Sequence, residues 1–303
     1  MEAALKNRLT YGPIMLIGLC LLLWLDHQVE LWTHGRVVDA SGAHGIGGVG
    51  LLAVLLIILT PATIELATLF AAEKVKPYRF LAAVGSGSLA IHAFLTQWHW
   101  FQVVAASVLA FIIVFVMLLA AFFRAWLRET QDAIHHMAGT VLATLYLGGL
   151  GWFLMALRVK HSQPGARVRF DGSTQIILLI LLVVKATDIG AYFGGRKFGR
   201  HKLIPWLSPG KTWEGLFFGL LTAGAVGMAC SLSIDELHWW KGLIAGAVIG
   251  GIGQLGDLLE SLMKRDAEVK DSGKLIPGFG GVLDVIDSPL LAAPFAYILF
   301  SFF

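Results

Sequence analysis

Long apolar runs separated by short polar connections dominate the chain. A helix that crosses a bilayer needs about 20 mostly apolar residues, fewer where its ends snorkel to the interface. By that measure the pattern predicts about nine transmembrane helices. They fall at 11–25, 47–72, 78–95, 98–123, 139–157, 174–187, 216–233, 240–262 and 286–303. The second run contains Pro61 and Glu65, which predicts a kink or break there. The sixth is short and runs straight into Asp188. All internal connections are short, so nothing in the pattern suggests a separate soluble domain. The expected fold class is an all-α polytopic integral membrane protein.

Composition agrees. Of 303 residues, 57% are hydrophobic and 14% charged, with a mean hydropathy of +0.75. A soluble domain carries roughly 25% charged residues. The net charge of +3 is small and the basic residues are spread over short loops, so nothing points to nucleic acid. Cys20 and Cys230 sit within apolar runs and read as buried free thiols, not as a disulfide or metal pair. The first run lacks a small-residue cleavage site before Asp26 and reads as a retained span.

Loop charges set the expected orientation, since Lys and Arg favour the cytoplasmic side. With Lys6 and Arg8 inside, the alternation also places inside Lys74, Lys76 and Arg79, then Arg124 and Arg128, then 196–211 and 264–274. The outside loops 96–99 and 235–238 have no Lys or Arg. The loop 158–171 disagrees, because it holds Arg158, Lys160, Arg167 and Arg169. Trp98, Trp100, Trp239 and Trp240 read as interfacial belts. Glu65, Lys185 and Asp188 lie at or near membrane depth, where a charge costs several kcal/mol unless it faces the protein interior or water. For Glu65 the options are a protonated carboxyl or a basic partner.

Two polar stretches interrupt the apolar pattern. In the first, 253–289, a helix through 255–263 would put Asp257, Glu260, Ser261 and Lys264 on one face. Asp284 and Asp287 repeat the carboxylate spacing. Acids so grouped repel unless a cation lies among them, and hard oxygen donors favour Mg²⁺ or a similar ion. The plainer alternative is that these charges are solvated or snorkelling at a helix end. The second stretch, 185–215, carries Asp188, several basic residues and Ser208-Pro-Gly-Lys211-Thr212-Trp-Glu-Gly at the start of a span. Backbone amides and hydroxyls at a helix N-terminus attract anions, and Lys211 adds a point charge. The Gly-Lys-Thr triplet lacks Walker A glycine spacing and is expected to have no strand before it. Ser208 and Thr212 also fit ordinary N-caps. Together the two stretches suggest a polyphosphate held by cations, lysines and helix termini.

The residues resemble the phosphatidate cytidylyltransferases, or CDP-diacylglycerol synthases. The resemblance rests on Asp257-Leu-Leu-Glu-Ser-Leu-Met-Lys-Arg, Lys270-Asp-Ser-Gly, Pro277-Gly-Phe-Gly-Gly and Asp284-Val-Ile-Asp-Ser. Upstream, Asp188-Ile-Gly-Ala-Tyr-Phe-Gly-Gly-Arg and Ser208-Pro-Gly-Lys-Thr-Trp-Glu-Gly match the same family. The match is strong over 185–288 and rests on hydropathy alone before that. Two positions depart from the family pattern: Phe279 stands where it usually has His, and Val285 where it usually has Arg. Lys274 is the nearest spare cation to take over a phosphate contact, and glycines 278, 280 and 281 offer backbone N–H groups for an anion nest.

The resemblance implies transfer of CMP from CTP to phosphatidic acid, giving CDP-diacylglycerol and pyrophosphate for phospholipid biosynthesis. It implies a Mg²⁺ site at Asp257, Glu260, Asp284 and Asp287, joined by Asp188, with a second cation such as K⁺ as an option. Lys264, Asp284 and Asp287 are the expected catalytic residues. Ser208, Lys211, Thr212, Lys264, Arg265, Lys270 and Lys274 would hold the triphosphate, with Asp271 supporting them. The expected layout is N-terminal transmembrane helices over 1–137 and a catalytic transmembrane region over 138–303. A polar active-site cavity would face the cytoplasm from the cell inner membrane, with membrane lipid as the other partner and a homodimer left open. Two other readings are a CTP-dependent polyprenol or phytol kinase and a cation-coupled transporter. The kinase lacks the long 261–288 match, and the transporter lacks an inverted repeat.

Overall fold

The computed structural model describes residues 2–39, 42–72, 75–159, 173–234 and 237–303. Its helices are Glu2–Trp32 (α1), Val49–Ala72 (α2), Arg79–Leu95 (α3), His99–Trp126 (α4), Ala133–Ala143 (α5) and Leu150–Val159 (α6). They continue with Ser173–Phe198 (α7), Trp213–Ser231 (α8), Trp239–Asp266 (α9) and Leu283–Phe302 (α10). A π-helical segment, Thr144–Gly149, joins α5 to α6. Among the described residues, eight helical stretches are long and apolar enough to cross a membrane, and the 17-residue α3 is a shorter apolar ninth. Apolar surroundings cannot hydrogen-bond a backbone, so a spanning segment must satisfy its own amides, as a helix does. The protein is an all-α polytopic membrane protein.

Among the described residues, named strands form two small hairpins, Val37–Asp39 (β1) with Gly42–His44 (β2) and Lys202–Ile204 (β3) with Ser208–Thr212 (β4). The second corrects the expectation that no strand precedes Gly-Lys-Thr, since the triplet lies within β4. Two helices also outrun their apolar pattern. The sixth run does not stop at Asp188 but continues to Phe198, because Gly190 and Gly194 let α8 lie directly against α7. A Cβ at either glycine would come within 2.4 Å of Thr222 or Phe218 on α8. Helix α1 likewise runs past Leu25 to Trp32, carrying Asp26 and Glu30. No break occurs at Pro61, where α2 is one uninterrupted helix.

Contacts divide the chain into two compact units: Met1–Val159 with Asp266–Val285, and Lys160–Arg265 with Ile286–Phe303. In the first, Leu51, Leu55, Leu59 and Leu66 of α2 bury one face of that helix. Buried polar ties fix the other helices. His92 on α3 lies 2.8 Å from the Ala105 carbonyl of α4 through Nε2, and its Nδ1 accepts from Trp152 on α6 at 2.9 Å. Arg158 at the end of α6 is fully buried, with Nε donating to Asp26 at 2.7 Å and Nη2 to Glu30 at 2.9 Å. Asp26 also accepts from the Gly48 and Gly50 amides at the start of α2. Arg158 is therefore an internal ion-pair partner, and it drops out of the loop charges that contradicted the alternation. Lys160, Arg167 and Arg169 lie outside the described residues.

In the second unit, small residues set the packing, as expected where lipid removes the hydrophobic gain of helix association. A Cβ on Gly227 of α8 would fall 2.3 Å from the Gly242 carbonyl of α9, and one on Gly246 of α9 2.2 Å from the Ala223 carbonyl. Gly250 and Gly253 of α9 rest on Thr187 and Val184 of α7 in the same way.

Candidate active site

Helix α9 carries the acidic face that its sequence spacing predicts. Gly256 brings α10 close beside it, its Cβ position being 3.0 Å from Ser288 Cα and 3.1 Å from the Asp287 carbonyl. That approach places Asp287 with Asp257 and Glu260, and one carboxylate oxygen from each lies within 4.8 Å of the others. Glu260 and Asp287 are almost fully buried, at 1% and 4% exposure. The Oδ2 atom of Asp287 is buried with no hydrogen-bond partner. Lys264, one turn on from Glu260, sits 3.2 Å from it.

A second lysine approaches from β4. Lys211 Nζ is 2.5 Å from Asp257 Oδ2 and donates to the Gln254 side chain at 3.1 Å. The amide of Gln254 in turn donates to Asp188 Oδ1 at 2.7 Å. Lys185 flanks Asp188 at 3.7 Å. Asp188, Tyr192, Gly210, Lys211, Gln254 and Asp257 help line a cleft of about 280 Å³, open beside the first turn of α8. Thr212 lines it too and caps α8, its hydroxyl oxygen accepting from the Gly215 amide at 3.1 Å. Gln254 was not foreseen. Its only sequence signal is a lone amide one turn before Asp257 in a glycine-rich run.

The remaining expected phosphate ligands are less gathered. Ser208 opens β4 and pairs with Ile204, at the opposite end of the strand from Thr212. Arg265, Lys270, Asp271 and Lys274 are exposed. The anion nest does not form as expected at two of its glycines: the Gly280 amide donates to the Ile276 carbonyl and that of Gly281 to Asp284.

Asp284 belongs to the first unit, in a closed loop. Its Oδ2 accepts from the Ser272 amide at 3.2 Å, the Ser272 hydroxyl at 3.0 Å and the Gly281 amide at 2.7 Å. Gly278 and Gly280 turn the loop at φ +86° and +104°, angles that disfavour any residue with a Cβ. The Phe279 ring lies 3.5 Å from the Cβ position of Gly12 on α1, so the residue standing in place of the family histidine is an apolar contact within this unit. Glu65 meets the same loop. Its partners are not basic residues but the amides of Val282 and Leu283, at 3.1 and 2.9 Å.

The second unit thus sets two lysines among grouped carboxylates, an arrangement whose donor chemistry suits a charged ligand or a cation. The chain belongs to the cytidylyltransferase family, whose model matches residues 8–303. It is 45% identical over 124 residues to a phosphatidate cytidylyltransferase of Staphylococcus epidermidis, a match covering 41% of this chain and 48% of that protein. Over 239 residues it is 33% identical to phosphatidate cytidylyltransferase 5, chloroplastic, of Arabidopsis thaliana, covering 73% of this chain and 57% of the relative. A 38% match over 149 residues, 48% of this chain and 49% of the relative, joins it to the uncharacterized protein YnbB of Escherichia coli strain K12. The chain spans about half the length of the curated relatives it matches.

Proposed function

We propose that this protein transfers CMP from CTP to phosphatidic acid, releasing pyrophosphate and forming CDP-diacylglycerol. The observation that carries the reading is the Lys211–Gln254–Asp188 cleft adjoining the Asp257–Glu260–Asp287 trio. In the reaction a phosphate oxygen of phosphatidate attacks the α-phosphorus of CTP. The bond from that phosphorus to the bridging oxygen breaks, and pyrophosphate leaves with the electron pair. The attacking phosphomonoester is already anionic near neutral pH, so no general base is needed. The barrier lies in bringing two polyanions together, and the protein lowers it by positioning and charge neutralisation.

The donor set fits a hard divalent cation, for which Mg²⁺ is our choice. All three candidate ligands are carboxylate oxygens, and three carboxylates against two lysines leave one negative charge uncompensated. The buried, unpartnered Oδ2 of Asp287 is what an absent cation would explain. The ion would neutralise phosphate charge and polarise the reacting phosphoryl group. With a cation held by Asp257, Lys211 would turn to a triphosphate oxygen. Gln254 keeps Lys211 and Asp188 in register. The Thr212 hydroxyl, whose oxygen already accepts from Gly215, retains its proton to donate to phosphate. Lys264 stays by Glu260 and limits repulsion within the trio.

The acyl chains remain in lipid, since drawing them into water costs about 0.8 kcal/mol per CH₂. The site faces the cytoplasm of an inner membrane, where CTP is found. Purified protein with phosphatidate, CTP and Mg²⁺ tests the proposal by its products. Pyrophosphate with CDP-diacylglycerol supports it. Release of CDP would mean a lipid kinase, and release of neither would favour transport.

A further inference from the structure

Glu65 is a carboxylate in the middle of an apolar helix that the cleft does not use. It lies seven residues before the end of α2, about 10 Å along the axis at 1.5 Å per residue. What it meets there is the start of α10. The first amides of any helix lack partners within the helix, and a side chain just before it usually supplies them. The residue before α10 is Val282, which has no acceptor. Glu65 fills that place from another helix, taking the Val282 amide on Oε1 at 3.1 Å and the Leu283 amide on Oε2 at 2.9 Å. The helix dipole favours negative charge at this end.

Ser272 couples this cap to Asp284. Its hydroxyl lies 3.4 Å from Glu65 and 3.0 Å from Asp284, and the single proton goes to the nearer acceptor. Two glycines make room for the Glu65 carboxyl. A Cβ on Gly273 would stand 2.3 Å from Glu65 Oε1, with Glu65 atoms its three nearest neighbours. One on Gly281 would stand 2.5 Å from Oε2 and 2.2 Å from the Ser272 hydroxyl. The Ser-Gly of 272–273 and the second glycine of 280–281 are thus shaped around one side chain 207 residues or more earlier in the chain.

We infer that Glu65 is a positioning residue that caps α10 from α2 and, by holding the first turn of that helix, sets the carboxylate of Asp287, which α10 carries one turn further on. This rests on the proposed cytidylyl transfer only for its kinetic consequence. The isosteric Glu65→Gln presents an NH₂ where one amide now finds an acceptor, so one cap bond is lost. Lys211 and Gln254 are untouched by the change. The expected result is a fall in kcat of tenfold or more with KM for CTP within twofold. Hydrogen exchange should rise in 280–284 alone, with the melting temperature held. Gly273→Ala should give the same kinetic pattern, and the double variant should be no worse than either single one, as for residues acting through one contact. Glu129→Gln, at an exposed ion pair elsewhere in the unit, serves as the neutral control.

Unchanged exchange in 280–284 overturns the inference, and so does raised exchange there with full turnover. Exchange raised throughout the unit with a lowered melting temperature also overturns it, in favour of a role in stability. If the unaltered protein turns over no CTP, the proposed function has failed. Divalent-cation titration of wild type and Glu65→Gln then decides the positioning claim, since equal affinities would overturn it and a weaker variant would uphold it.

Discussion

Lys211 and Asp257 meet at 2.5 Å, with the same ammonium hydrogen-bonded to Gln254 at 3.1 Å. An ammonium on a carboxylate is an internal counterion, and a metal bound at Asp257 would make it available to a phosphate. Lys211→Met should therefore lower kcat/KM more than tenfold, a loss above about 1.4 kcal/mol of transition-state stabilisation. Arg124→Met, which removes a contact to Glu129 at the end of α4, should change it less than twofold. Steady-state kinetics on both variants checks this, and equal losses would point to general membrane charge instead of a site.

The buried trio makes a prediction about stability. Mg²⁺ should raise the melting temperature of the wild type, since a ligand at a hundred times its Kd adds about 2.7 kcal/mol. Asp287→Asn removes one of three crowded charges. In EDTA it should melt no lower than wild type, and Mg²⁺ should no longer stabilise it. Thermal melts with and without Mg²⁺ decide the matter. A full Mg²⁺ shift in the asparagine variant would remove Asp287 from the site.

Arg158 makes the opposite case, of a charge that serves the fold. Arg158→Met leaves Asp26 buried beside an apolar side chain, and breaking a buried pair costs about 3–5 kcal/mol. The melting temperature should fall markedly while Lys211-dependent kinetics of the surviving protein stay normal. Loss of turnover without loss of stability would assign Arg158 a role in the reaction.

Glycine packing offers a paired test. Gly227→Ala drives a methyl to 2.3 Å from the Gly242 carbonyl and should separate α8 from α9, lowering the melting temperature. Gly224→Ala meets only Leu243 at 3.4 Å, an ordinary contact, and should be nearly neutral. Similar melting temperatures for the two would contradict the close helix approach.

Much of this was legible in the sequence. Apolar run length marked each of the eight helices that, among the described residues, are long and apolar enough to span, and the spacing of Asp257, Glu260 and Lys264 put them on one helix face. Other features depend on contacts between distant residues and leave no local trace. Arg158 reads as a loop charge until Asp26 and Glu30 are seen opposite it. Glu65 suggests a basic partner because its amide partners lie more than 200 residues away in the chain. The extension of α7 past Asp188 was hidden because its glycines are poor helix formers alone, and α8 requires them. Gln254 carries no charge and so escaped a reading built on charged groups.

The central claim is that CTP delivers its α-phosphorus to the lipid. The most direct measurement follows two labels through one reaction of purified protein with phosphatidate and Mg²⁺. Label at the α-phosphate should appear in the lipid product, and label at the γ-phosphate should appear only in pyrophosphate. Finding γ-label in the lipid, or neither label there, would contradict the account.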